Sequence, residues 1–246
     1  MSMKIGPGVS LVGGALAVAL LCASPASASS PGRGNPAPKH VFGRGTSTNW
    51  SGYAIAGSGA THVIGSWTQP TASCAAGENS WSSPWVGIDG DTTNTVEQIG
   101  TDSDCQNGTP VYYAWWEMYP KKLVLINMPV HSKDSFTGEV TYTGSGYLLK
   151  LTDNTTHTTF QTTQVSKQAK RASVEWIMEG PSSGLLTNFG TVSFSGASAT
   201  INGTTGSLGS FSGADPITMV TGQGAQRAVP TGITGGSSFS VNWQHG

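Results

Sequence analysis

The sequence predicts an all-β fold, a β-sandwich of two antiparallel sheets of the concanavalin or lectin-like jelly-roll kind. Three observations lead there. Short runs rich in β-branched and aromatic residues recur along the chain, turn residues separate them at close intervals, and no long stretch carries apolar positions at helical spacing. Asp89-Gly90, Asn107-Gly108, Asp153-Asn154, Gly180-Pro181 and Asn202-Gly203 are the turn signals. A helical turn fits only near Ser166–Lys170.

The amino terminus stands outside this pattern. Met1–Lys4 is short and basic, Val9–Ala23 is apolar and small, and Ala26-Ser27-Ala28 offers small residues before a cleavage point. Residues 1–28 therefore read as a secretory signal peptide. The apolar run falls short of the roughly 20 residues that span a bilayer, so a membrane anchor fits less well. Residues 29–48 are rich in Gly, Pro and Ser, with Arg33, Lys39 and Arg44 as their charges, and read as a flexible linker or short pro-segment. The ordered domain is expected over 49–246, long enough for one sizeable core.

Within it, strands are expected at His62–Trp67, Ser83–Ile88, Val96–Gly100, Val111–Trp116, Leu123–Ile126, Ser135–Tyr142, Gly146–Leu151, Ser173–Ile177, Thr191–Phe194 and Ser238–Trp243. The Thr/Ser/Gly-rich stretch from Ser193 to Gly213 still alternates and reads as edge strand and loop.

Composition excludes several function classes. With 12 basic and 13 acidic residues and a net charge of −1, there is no basic stripe for nucleic acid. Sparse charge also limits self-repulsion when carboxylates protonate, which suits acid conditions. After export two cysteines remain, Cys74 and Cys105, and in an oxidising compartment they are expected to form one disulfide around the Trp85 and Gln98 segments. They do not make a zinc site alone, and His40, His62, His131, His157 and His245 show no metal-binding spacing. No metal or cofactor is expected, nor a membrane partner after processing, and the chain reads as a monomer.

Two runs that otherwise read as buried strands carry an amide or a carboxyl: Gln98, beside Glu97, within Val96–Gly100 and Glu175 within Ala172–Ile177. Nothing local requires a polar group at either place, and alternation along the strands lets both face a shared groove. Serine is too common here for any single one to stand out and no free cysteine remains, so nucleophilic hydrolysis fits poorly. Glu97, Glu117, Glu175 and Glu179 lie in or beside aromatic strands. A glycosidase pair built from Glu117 and Glu175, or a carbohydrate-binding module with exposed aromatics, is the alternative.

Four segments occur in register: Trp85-Val-Gly-Ile-Asp89-Gly90, a glutamine nine residues past that aspartate, Ala114-Trp-Trp-Glu117-Met-Tyr-Pro120 and Val174-Glu175-Trp176-Ile177. Together they resemble the glutamic peptidases, or eqolisins, known mainly from fungi and with bacterial relatives; this chain looks like a bacterial-type member. The likeness runs from about Asn49 to Trp243. It implies a sandwich of two bent sheets and an acid-active, metal-independent endopeptidase acting on protein or peptide substrates. By resemblance Gln98 and Glu175 are the catalytic pair, while Trp85, Asp89, Trp115 and Glu117 line and orient the groove. Asp89 reads equally as a carboxylate near Gln98 that fixes which way its amide faces or as the first residue of the Asp89-Gly90 turn, and Glu179 points to the same face as Glu175 as an alternative base. One position departs: Tyr113 stands where fungal members carry an acid.

The chemistry suits those roles. Peptide hydrolysis needs a base for water, a donor for the developing oxyanion and an acid for the leaving nitrogen. An ordinary glutamate, with a pKa of about 4.3, takes the first proton near pH 4 and returns it later. A glutamine does not titrate, so its NH2 donates at any pH and its carbonyl oxygen holds the attacking water.

Overall fold

The computed structural model describes residues 1–2, 37–43 and 45–246. Beyond its first two residues, the expected signal peptide lies outside the described residues. Among the described residues seventeen strands form: β1 Val41–Gly43, β2 Thr46–Ser47, β3 Trp50–Ala56, β4 His62–Thr68, β5 Ser83–Ile88, β6 Val96–Gln106, β7 Thr109–Tyr119, β8 Val124–Ile126, β9 Ser135–Tyr142, β10 Tyr147–Asp153, β11 Thr158–Gln164, β12 Ser173–Glu179, β13 Thr191–Ile201, β14 Thr204–Ser207, β15 Ala214–Val220, β16 Gln226–Pro230 and β17 Phe239–Trp243. Among the described residues the only helical element is a 3-10 turn at Leu208–Ser210; none forms at Ser166–Lys170. No helix among them is long and apolar enough to cross a membrane.

The first sheet runs β15-β3-β12-β5-β6-β7-β8, antiparallel throughout. The second runs β11-β10-β9-β4-β13-β17-β16-β15, with β14 against the far end of β13. Strand β15 belongs to both: Ala214–Ile217 pair with β3, and the following residues pair with β16 and, in parallel, with β2. A strand that changes sheets turns the corner of a sandwich without leaving backbone groups unpaired.

The main core lies between the sheets. Val86, Ile88, Ile99, Val174, Trp176 and Met178 from the first meet Val63, Trp67, Phe136, Val140, Leu149 and Phe194 from the second. Each such large side chain contributes about 1.5–3 kcal/mol on burial. Two glycines make room for the indoles. A Cβ on Gly65 would sit 2.6 Å from the Trp176 ring, and one on Gly138 would sit 2.9 Å from Trp67.

The alternate residues of the first sheet form a second cluster on its other face, with Trp50, Ala54, Trp85, Val96, Trp115 and Ile177. Strands β5 and β12 are consequently buried along their whole length. Continuous burial explains why these runs read as apolar rather than alternating.

Some elements differ from expectation. Strand β13 continues to Ile201 and is paired on both sides by β4 and β17, rather than ending at Phe194 before an edge strand. Val192, Phe194, Ala197, Ala199 and Ile201 are its inward set. The Ser and Thr between them face water, so small polar residues cost the strand little. Strands β3, β11, β15 and β16 were not expected: β3 and β11 are rich in Ser, Thr, Gly or Ala, and β15 and β16 each contain a proline, which argues against a strand. Paired backbone also begins before Asn49. Residues 41–43 and 46–47 pair with each other, and the Asn49 Oδ1 accepts from the His40 N–H at 2.7 Å and the Ser47 hydroxyl at 2.8 Å. The disulfide Cys74–Cys105 is formed.

Candidate active site

Glu175, Gly87, Gln98 and Glu117 are successive cross-strand partners on β12, β5, β6 and β7. Directly opposed residues of antiparallel strands point to the same side, so Glu175, Gln98 and Glu117 share one face, the face opposite the main core. With strands about 4.7–4.9 Å apart, the Gln98 and Glu175 backbones stand roughly 9.5 Å from each other. Gly87 lies between them and contributes no side chain. A Cβ there would come within 3.1 Å of the Gln98 Cβ and 3.0 Å of the Trp85 ring. The gap between the amide and the acid exists because of that glycine.

All three polar side chains are 0% exposed. The Gln98 amide donates from Nε2 to Glu117 Oε2 at 2.8 Å, which fixes its orientation. Its Oε1 and both Glu175 oxygens have no hydrogen-bond partner among the described residues. A buried polar atom in that state costs about 1–3 kcal/mol, so three of them around one gap mark a place built for a polar guest. Burial pushes the Glu175 carboxyl well above the usual carboxylate range, and the charges of Asp91, Asp89 and Glu97 push the same way. The Ser173 hydroxyl, close by but outside hydrogen-bonding geometry, opposes them.

Aromatic side chains wall the same face. Trp85 donates from its indole to Glu179 at 2.9 Å and meets Trp50 edge to face, with centroids 5.0 Å apart. Trp115 donates to Asp102 at 2.6 Å and to the Ser83 hydroxyl at 3.1 Å. The Tyr113 hydroxyl lies within hydrogen-bonding distance of both Asp102, at 2.7 Å, and Asp104, at 2.8 Å, four positions along β7 from Glu117. An acid at 113 would set a third carboxyl beside those two; the phenol bridges them instead, and it does so away from Gln98.

One expected placement comes out differently. The Asp89 carboxylate does not touch the Gln98 amide, whose partner is Glu117. Instead its Oδ2 accepts from the backbone N–H groups of Lys170 at 2.7 Å and Arg171 at 2.8 Å, and its Oδ1 from Ala172 at 2.7 Å. Asp89 also takes a φ of 70° as the chain enters the turn with Gly90. Glu179 shares the face of Glu175, but Oε1 accepts from the Ala37 N–H at 3.0 Å and from Asn49, while Oε2 takes the Trp85 indole. Gly87, Asp102 and Asp104 were not singled out from sequence. The signal for the two aspartates was the period of two running from Gln98 along β6. Among the described residues no cluster of His, Cys, Asp or Glu is arranged to hold a metal ion.

The description of the peptidase A4 family matches residues 48–243. The chain belongs to the peptidase A4 family. It is similar to aspergillopepsin-2 of Aspergillus niger, 32% identical over 187 residues that cover 65% of this chain and 66% of that protein. Among solved structures, scytalido-glutamic peptidase with a transition state analog inhibitor shares the fold, with a TM-score of 0.68 at 23% identity, over 80% of this chain and 98% of that one. Aspergilloglutamic peptidase from Aspergillus niger gives a TM-score of 0.58 at 28% identity, over 67% and 99% of the two chains. The resemblance read from the Trp85, Gln98, Glu117 and Glu175 segments is thus borne out at the level of family and fold. A peptidase family also sets aside the glycosidase and carbohydrate-binding alternatives.

Proposed function

We propose that this peptidase A4 member is a secreted, acid-active endopeptidase in which Glu175 and Gln98 act together on one peptide bond. The observation that carries the reading is their placement, with two otherwise unexplained polar side chains on one face, separated only by the bare backbone of Gly87. In the proposed reaction a scissile carbonyl lies over Gly87. Ionised Glu175 removes a proton from water as it attacks, and the acid so formed protonates the leaving nitrogen. Gln98 Nε2 donates to the oxyanion and Oε1 holds the water, while Glu117 keeps the amide in that orientation.

Two further features support the reading. The face already accommodates polypeptide backbone. The Ala37 N–H binds Glu179, and its carbonyl receives the Trp50 indole at 2.9 Å. The disulfide and the export-type amino terminus fit secretion. Because burial disfavours the Glu175 carboxylate, the acid limb of the pH profile of kcat/KM sits above the ~4.3 of an ordinary glutamate.

The test is hydrolysis of a denatured protein between about pH 3 and 7 by wild type, Gln98→Ala and Glu175→Gln. Loss of one oxyanion donor raises a barrier by about 2.7–4 kcal/mol, so Gln98→Ala should fall roughly 100- to 1,000-fold, and Glu175→Gln at least as far. Equal activity in all three removes the proposal.

A further inference from the structure

Strand β6 carries two more acids on the face of Gln98. Residues 98, 100, 102 and 104 alternate along the strand, so Asp102 and Asp104 follow Gln98 on its own side, and both are fully buried. Opposite them on β7 run Glu117, Trp115 and Tyr113, paired in turn with Gln98, Gly100 and Asp102.

A chain of contacts leads from Tyr113 back towards the proposed catalytic pair. The Trp115 ring lies against Gly100, where a Cβ would sit 3.0 Å from its Cζ2, so the indole occupies the face one cross-strand row from Gln98. Its Nε1 donates to Asp102 Oδ1 at 2.6 Å, and the Ser83 hydroxyl stands 2.6 Å from the same oxygen. Asp102 Oδ2 is 2.7 Å from the Tyr113 hydroxyl oxygen, which in turn is 2.8 Å from Asp104 Oδ2. Asp104 Oδ1 accepts from the Ser82 N–H at 3.1 Å.

The set needs one more proton than the phenol supplies. A phenol has a single hydrogen to donate, yet two carboxyl oxygens stand at hydrogen-bonding distance from its oxygen. Without a second hydrogen, one of those contacts would set lone pairs against each other in the interior. Asp102, with the indole and the Ser83 hydroxyl at Oδ1, is the acceptor for the phenol's hydrogen. Asp104, with one longer backbone donor, is the acid that donates to the phenol oxygen. We propose that Tyr113 is a positioning residue: in a proton-bridged set running from Asp104 through Tyr113 to Asp102, it fixes the Trp115 ring beside Gln98. The inference rests on the proposed function for its catalytic consequence, and on the hydrogen bonds alone for its structural one.

Further acids share this side of the molecule. Glu179 on β12 is the cross-strand partner of Ser83 and is bonded to the Trp85 indole and the Ala37 N–H. Glu117, on β7, holds the Gln98 amide, and Glu175 lies beyond Gly87. Glu78, before β5, accepts from the Ser80 hydroxyl at 2.6 Å and the Ala75 N–H at 2.8 Å. Residues 180–190, which follow β12, carry no charged side chain. Negative charge on the acids disfavours a second carboxylate at Asp104. The sign follows from linkage. A carboxyl that holds its proton more tightly folded than unfolded adds stability that is complete below its unfolded pKa, about 3.9, and is lost as pH rises through the folded value. The Trp115 ring is therefore held firmly in acid and loosens towards neutrality.

The experiment compares wild type, Tyr113→Phe and Asp104→Asn in two measurements between about pH 3 and 6. One is kcat and KM on a denatured protein. The other is hydrogen exchange of the Trp115 indole N–H by NMR, the signal being assigned by its loss in Trp115→Phe. Asparagine keeps a donor for the phenol oxygen at every pH; phenylalanine removes the bridge. We expect Tyr113→Phe to raise KM at least fivefold with a smaller change in kcat, and to speed indole exchange at least tenfold. Asp104→Asn should stay within about threefold of the wild-type KM in acid and should flatten the rise of KM towards pH 6. A KM profile in Asp104→Asn that parallels wild type, or unaltered indole exchange in a folded Tyr113→Phe, overturns the proton-bridged set. If Tyr113→Phe does not fold, the Asp104→Asn profile still decides. If wild type cleaves nothing at any pH, the proposed function fails, while indole exchange still judges the set: its acceleration with pH should be smaller in Asp104→Asn than in wild type, and equal acceleration overturns it.

Discussion

Gly87 matters for the side chain it lacks. Any Cβ at 87 would press on the Gln98 Cβ from 3.1 Å and on the Glu97 carbonyl from 3.2 Å, and would occupy the gap in front of Glu175. Gly87→Ala should therefore leave the fold intact but lower kcat/KM at least tenfold, read on the same denatured substrate with circular dichroism as the control. Full activity would mean that the scissile bond lies elsewhere. At this scale much was legible. Gln98, beside Glu97, and Glu175 stood out as an amide and an acid inside runs that otherwise read as buried. Asp89 was legible as a turn residue with a structural job. Its partners were not, because the three amides it binds come from a connection more than 80 residues away. Glu117 could be named from its motif, but only the β6–β7 register shows that it, and not Asp89, holds the Gln98 amide.

Strand β6 is the element on which the site turns. One side of it carries Gln98 and Asp102 towards the aromatic face; the other carries Glu97 and Ile99 towards the core. A slip of one residue would exchange the two sets, so its register must be held firmly. The Cys74–Cys105 disulfide ties its far end, closing a loop with a sequence separation of 31. Chain-entropy reasoning assigns such a loop roughly 3–4 kcal/mol. The double variant Cys74→Ser, Cys105→Ser should lose stability on that order in denaturant titration; a change near zero would show that the strand needs no tether. The element boundaries that sequence missed share a cause. Strands β3, β11 and β13 are built largely from Ser, Thr, Gly and Ala, whose strand preference comes from pairing with neighbours rather than from their own bulk. In contrast β5 and β12, dense in Trp, Val and Ile, were clear from composition alone.

The whole molecule stores acids in its interior, and this sets how it responds to pH. Glu97 and Glu175 both have their carboxyl pKa raised, chiefly by burial. Each binds its proton more tightly folded than unfolded, so each removes about 1.4 kcal/mol of stability per pH unit once pH exceeds ~4.3 and until the folded pKa is reached. The thermal midpoint should be highest in acid and fall by roughly 3–5 °C per pH unit for each such group above about pH 5, measured by calorimetry; a midpoint rising towards neutrality would contradict the burial of these carboxyls. Sparse surface charge works in the same direction by limiting repulsion at low pH. Catalysis too is expected to be a property of the assembled sheet, since Gln98 and Glu175 become neighbours only when β5 seats itself between their strands. The most direct test of that claim is a double-mutant cycle on kcat/KM with Gln98→Ala, Glu175→Gln and both together. Residues acting on one carbonyl are strongly non-additive, so the double variant should be no more than a few-fold worse than Glu175→Gln alone. A loss equal to the product of the two single losses would show that the amide and the acid act independently.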